Sequence, residues 1–241
     1  MMIDAKELGY KEINEKLRES GKECEINECL GQRFIAAGMS DKNIKIKGVP
    51  GNALGAYLNG AKIEVFANAQ DAVGDTMNEG KIVVHGNIGD AAGYAMRGGK
   101  IFVEGDAGYR AGIHMKAYKE KIPQMVIGGC AGSFLGEYQA GGIITVLGLD
   151  ADKQDKKIVG FFPCTGMHGG KMYLRSSCED IKFPGQVTVS HANGKDLDDL
   201  KSIVTEYCEE FNLDADEILD TEFTVLTPDS KNPYKQMYVA N

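Results

Sequence analysis

Residues 71–105 read DAVGDTMNEGKIVVHGNIGDAAGYAMRGGKIFVEG, and the unit at 74–86, GDTMNEGKIVVHG, returns at 93–105 as GYAMRGGKIFVEG. Nineteen positions separate equivalent residues, and working outward from this pair the same beat runs through most of the chain. One aliphatic column reads Ile44, Ile63, Ile82, Ile101, Met125, Ile144 and Met172, with insertions before Met125 and Met172. A second, two residues behind, reads Ile46, Val65, Val84, Val103, Ile127, Val146 and Leu174. An offset of two puts both columns on one face of a strand. Helical repeats need longer units with i, i+3, i+4 spacing, so each unit here is predicted to be one coil of a β-solenoid. About seven coils stacked at roughly 4.8 Å give a rod on the order of 30 Å long.

Glycine recurs at 55, 74, 93, 112 and 136 and again at 48, 86, 105, 129 and 148, ten of the 31 glycines in 241 residues. These columns mark turns, where positive φ or a close approach of neighbouring coils excludes a side chain. The coil does not divide into six-residue units, so the expected fold is an all-β, right-handed parallel β-helix rather than the left-handed hexapeptide kind. The whole chain, 1–241, is expected to be a single domain. Residues 1–21 form an N-terminal helix, with Ile3, Leu8, Ile13 and Leu17 on its apolar face. The β-helix runs over 22–190, and 191–241 hold a C-terminal helix and an extended tail. The stretch KDLDDLKSIVTEYCEEF at 195–211 has helical spacing, and 214–219 add a short turn. The flanks are expected to cap the open ends of the rod.

With 35 acidic against 27 basic residues the net charge is −8, a balance that disfavours nucleic acid and anionic membranes as partners. No signal peptide or spanning segment is legible, so a cytoplasmic protein is expected. The cysteines at 24, 29, 130, 164, 178 and 208 include no C-x-x-C pair and read as buried thiols. His85, His114, His168 and His191 stand in different columns of separated coils, which argues against a shared metal site. The G-x-x-x-G spacings at 51–55, 89–93, 108–112 and 132–136 precede strands rather than helices, so they read as turns and not phosphate cradles. Lys62, Lys81, Lys100 and Lys171 form a column expected to be a solvated stripe. No catalytic, cofactor-binding or metal-ligating residue is singled out. Two insertions, 115–124 and 149–160, break the beat and are where a solenoid presents a binding surface. Beside the first lie Tyr109, Arg110, His114, Lys116 and Tyr118, the expected partner interface.

The runs GNALGAYLNGAKIEVFANAQDAVGDTMNEGKIVVHG, GYAMRGGKIFVEGDAGYRAGIHMK, GCAGSFLGEYQAGGIITVLGL and TGMHGGKMYLR resemble the glycine-motif domain at the C-terminus of the large subunit of glutamate synthase. The resemblance covers about residues 24–175, and the terminal NPYKQMY is also similar. It implies a right-handed β-helix with a structural role, here as a separate polypeptide within a split enzyme of glutamate biosynthesis. It further implies partners that carry the glutaminase and the FMN-binding functions, with FMN and iron–sulfur groups on those chains and no cofactor on this one. Homo-oligomers are a further expectation. The fold is also similar to that of a formylmethanofuran dehydrogenase subunit, the alternative assignment. A stand-alone solenoid enzyme is the third reading.

Overall fold

The computed structural model describes residues 1–151, 153 and 155–229. The chain is a parallel β-helix, as the period predicts. Strand β1 (Met2–Asp4) is followed by helix α1 (Tyr10–Glu19). Eight parallel strands come next: β2 (Glu23–Leu30), β3 (Asn43–Val49), β4 (Asn59–Val65), β5 (Glu79–Val84), β6 (Lys100–Val103), β7 (Gln124–Ile127), β8 (Ala140–Val146) and β9 (Gly169–Leu174). Ile44, Ile63, Ile82, Ile101, Met125, Ile144 and Met172 are stacked partners in successive coils, as are Ile46, Val65, Val84, Val103, Ile127, Val146 and Leu174. These side chains are buried in one continuous core. Burial of these two columns holds successive coils together, at about 25 cal/mol per Å² of apolar area removed from water.

The stack holds one turn more than the aliphatic columns mark. In β2 the first column is occupied by Cys24, opposite Ile44, and a register shift between Ile26 and Cys29 hides the beat. Ile3 belongs to β1, which pairs in parallel with β2, so the first helix begins at Tyr10 rather than near residue 3. Helix α1 buries Ile13 and Leu17 in the inner core. Its Asn14 side chain donates to the Phe34 carbonyl at 2.9 Å and accepts from the Ala36 N–H at 2.8 Å, closing the first coil. The parallel stack ends at Leu174, short of the expected residue 190. Beyond it, Cys178 and Val187 belong to the inner core, and Ile181 and Phe183 pack against it. Strands β10 (Val187–His191) and β11 (Thr224–Pro228) then extend the sheet in antiparallel fashion, β11 pairing with β9. The segment expected to run as extended coil thus contributes a strand. NPYKQMY lies outside the described residues.

Helix α2 (Lys195–Phe211) has the predicted bounds, but it lies along the side of the rod instead of over its end. Short helix α3 (Ala215–Leu219) follows, with the Asp214 carboxylate accepting from the Asp216 and Glu217 N–H groups at 2.9 and 3.3 Å. The residues between the two inner columns point outward, and they change character along the rod. Lys45 and Glu64 are polar; Val83, Phe102, Val126 and Tyr173 are buried. Phe102, Val126 and Tyr173 form a second core with Leu200, Ile203, Val204 and Tyr207 of α2. The Tyr207 hydroxyl donates to the Val103 carbonyl at 3.1 Å, and a Cβ at Gly128 would collide with that hydroxyl.

The lysine column is therefore not a solvated stripe. Lys62 pairs with Glu210 at 2.9 Å, Lys81 with Glu206 and Glu210 at 2.8 and 2.9 Å, Lys100 with Glu206, and Lys171 with Asp196 at 2.6 Å. Burial penalises the Lys81 ammonium, yet the hydrogen bonds and charges of Glu206 and Glu210 outweigh that and hold it above the usual lysine range. Burial likewise opposes ionisation of Glu206 and Glu210, and their lysine partners hold both below the usual carboxylate range. Among the described residues, no helix is long and apolar enough to cross a membrane.

Candidate functional site: the aromatic corner and its groove

At the glycine corner every second residue has positive φ: Ala91, Gly93 and Ala95 at +55°, +67° and +50°, then Arg110, Gly112 and His114, then Phe134, Gly136 and Tyr138. The central position faces inward and must be small. At Gly74 a Cβ would come within 2.5 Å of the Ile101 Cδ1, on a backbone at φ +68°. The two outer positions of each triplet need no such restriction. They hold side chains despite a conformational cost on the order of 1 kcal/mol each.

Side-chain ladders reinforce the turns on either side of this corner. The Asn68 Oδ1 accepts from the Asn87 N–H at 2.8 Å, the Asn87 Oδ1 from the Asp106 N–H at 2.7 Å, and the Asp106 Oδ1 from the Cys130 N–H at 2.7 Å. Asp71 and Asp90 do the same for the N–H groups of Asp90 and Tyr109, at 2.9 and 2.8 Å. Each ladder recurs at the coil period, so it was visible in the sequence as a column of Asn and Asp.

The outer corner positions are large at Phe34 and Tyr57 in the first coils, small or half-polar through the middle of the rod, and large again in the last coils. Arg110 lies over the Phe134 ring at 5.2 Å and donates from Nε to the Glu137 carboxylate at 3.0 Å. Phe134 meets Phe162 at 5.3 Å between centroids, and Phe162 meets Phe161 at 6.2 Å. Phe161 is 75% exposed and Phe162 62%, high for adjacent aromatic residues in a folded chain. Four residues along, His114 stacks on Tyr138 at 5.2 Å and 9°, with Tyr94 edge-on at 5.9 Å. Of the five residues expected at a partner surface, Arg110 thus belongs to one ladder and His114 to another. Tyr109 is exposed in the column that continues through Ser133 to Phe161. Lys116 is exposed as well. Tyr118 sits on the 115–124 loop, which its backbone closes by mutual bonds with Lys121 at 3.0 Å. Phe134, Tyr138, Phe161 and Phe162 were missed. Carrying the columns of Tyr109, Arg110 and His114 across both insertions reaches all four.

The remaining histidines sit apart from one another. His85 stacks on Phe66 and lies edge-on to Phe211, with Glu64 at 3.2 Å. His168 contacts the Gly166 carbonyl at 3.0 Å, and His191 the Glu222 carboxylate at 2.7 Å.

The second insertion, with segment 180–184, walls off a groove of about 880 Å³ beside Phe161 and Phe162. Its floor is Ala107, Ala131, Val159 and Cys130, and its rim carries Lys156, Lys157, Lys182, Asp106 and Asp180. Burial pushes the Cys130 thiol up, helped by the Asp106 charge, so this cysteine is held in its neutral form. Asp106 is itself penalised by burial, but Lys156 at 2.8 Å and the Cys130 N–H keep its carboxyl below the usual range.

The chain is 44% identical over 250 residues to an uncharacterised protein of Methanocaldococcus jannaschii, covering 99% of this chain and 96% of that one. Among solved structures it is similar to a chain of the formyltransferase/hydrolase complex from Methylorubrum extorquens, determined with methylofuran. The TM-score is 0.65 at 19% identity, covering 87% of this chain and 74% of the other. That likeness is one of fold. The GXGXG motif family matches residues 10–229, the same span that holds the corner triplets and their inward glycines, and the chain belongs to this family.

Proposed function

We propose that the chain is a cytoplasmic, non-catalytic assembly subunit of a split glutamate synthase. It would hold a glutaminase chain and an FMN-binding chain in register, with FMN and iron–sulfur groups on those partners. The observation that carries this reading is the bare aromatic corner of the last coils. The outer strand face of the same coils is covered by α2, whereas Tyr109, Phe161 and Phe162 remain exposed in a protein that spends acidic residues freely elsewhere. Exposed rings flanked by arginine are the composition of interface centres. The test is affinity purification from the native host at low salt. Flavin absorbance and a glutaminase chain should accompany the wild-type protein and be lost from a Phe161→Asp/Phe162→Asp variant that melts normally. Recovery only as a free homo-oligomer would sink the reading.

A second reading is favoured by the fold shared with the formyltransferase/hydrolase complex. There the chain would be the assembly body of a formyl-transferring complex, related to formylmethanofuran dehydrogenase. The same purification separates the two: this reading expects formyltransferase or molybdenum- or tungsten-containing partners and no glutaminase.

A further inference from the structure

We propose that the groove beside Phe161 and Phe162 binds a small organic acid with a flat apolar body. The groove shares Phe161 and Phe162 with the surface that the assembly reading gives to a partner, but every group it uses belongs to this chain, so binding to the isolated chain is measured apart from assembly.

The volume, about 880 Å³, lies within the range of small-molecule sites. Phe161, Phe162, Phe183 and Pro184 line it with rings and a flat apolar edge on which a planar ligand can stack. Phe162 is held from behind by Phe134, so part of that wall is fixed before any ligand arrives. The rim decides the charge. Lys156 is committed to Asp106 at 2.8 Å. Among the described residues Lys157 meets only Asp180, at 2.7 Å, and both side chains are about two-thirds exposed, so water already weakens that pair and a ligand carboxylate can exchange into it. Among the described residues no carboxylate pairs with Lys182. Among the described residues the groove thus carries three ammonium groups against two carboxylates, in a chain whose net charge is −8. A cationic ligand would meet repulsion at Lys157 and Lys182, and a neutral one would leave them unused. An acid satisfies both the wall and the rim.

The test uses the full chain and two isosteric probes, 2-naphthoate and its neutral amide 2-naphthamide, followed by equilibrium dialysis at low salt. Naphthoate should bind about tenfold more tightly than naphthamide, and high salt should erase most of that difference. Phe161→Ala and Phe162→Ala should weaken both probes. Lys182→Gln should weaken naphthoate alone. All three positions are exposed, so an unchanged melting temperature identifies variants that keep the fold. Equal affinities for the two probes would make the groove a plain apolar contact surface and overturn the proposal. Full-strength binding in both phenylalanine variants, or no binding of either probe, would overturn it equally.

Discussion

The outer face of the strands and the glycine corner are made by the same coils, yet the chain treats them in opposite ways. On the strand face, the outward residues Phe102, Val126 and Tyr173 are covered by α2, with a row of lysines locked to its acids. At the corner, outward residues of the last coils are aromatic: Phe134 is half-buried under Arg110 and Phe162, while Phe161 and Phe162 stay bare. Inward positions are bound to repeat, because each must stack on its copy in the next coil. Outward positions are free to differ, so what the rod touches is written in the columns that break the pattern.

The comparison breaks first if the shared interior is wrong. Val84→Asp would bury an unpaired carboxylate between Val65 and Val103 and should cost about 4 kcal/mol or more. A denaturant midpoint equal to the parent's would refute the stacked interior on which both faces depend. Next in size, Phe102→Ala removes a fully buried ring from beneath Tyr207 and should cost about 3 kcal/mol, with amide exchange in α2 accelerating before that of the inner strands. Uniform acceleration would mean that α2 is not a separate layer.

A smaller effect comes from acid. Glu206 and Glu210 have folded pKa values below their unfolded ones. Their pairing therefore stabilises fully above the ordinary glutamate range, and that stabilisation is lost as pH falls below it. Lys81, held above its ordinary range, loses its contribution only as pH rises past that range. A Glu206→Gln/Glu210→Gln variant should lose roughly 1 kcal/mol at neutral pH and show a flatter acid limb in its melting temperatures. An unchanged limb would place the acid sensitivity elsewhere. Smallest is the corner: Phe161→Ala should shift stability by less than about 0.5 kcal/mol, since its ring is already in water. A loss comparable to that of Phe102→Ala would show that the corner rings are structural.

The interior was legible because its physics is repetitive. Ile63, Ile82 and Ile101 announce one another, and the two insertions only delay the beat. The N-terminal coil was not, because Cys24 replaces the expected aliphatic residue and a register shift follows Ile26. The pairing of the lysine column was also missed. Lysines beside an apolar ladder look alike whether water or a helix faces them, and for Lys62, Lys81 and Lys100 the answer lay in pairing them with Glu206 and Glu210, more than a hundred residues away. Of the corner, sequence reasoning found Tyr109, Arg110 and His114 but stopped at the first insertion, before Phe134 and Phe162.

The placement of α2 has a consequence during synthesis. Tyr207 closes over Val103 from 104 residues downstream, so a nascent chain must carry Phe102 and Val126 without their α2 cover while the rest is made, roughly 5 to 20 seconds at ordinary translation rates. Over that interval the growing rod exposes a sticky stripe that the finished protein hides, which makes the last stretch of translation the moment when this protein most needs a chaperone.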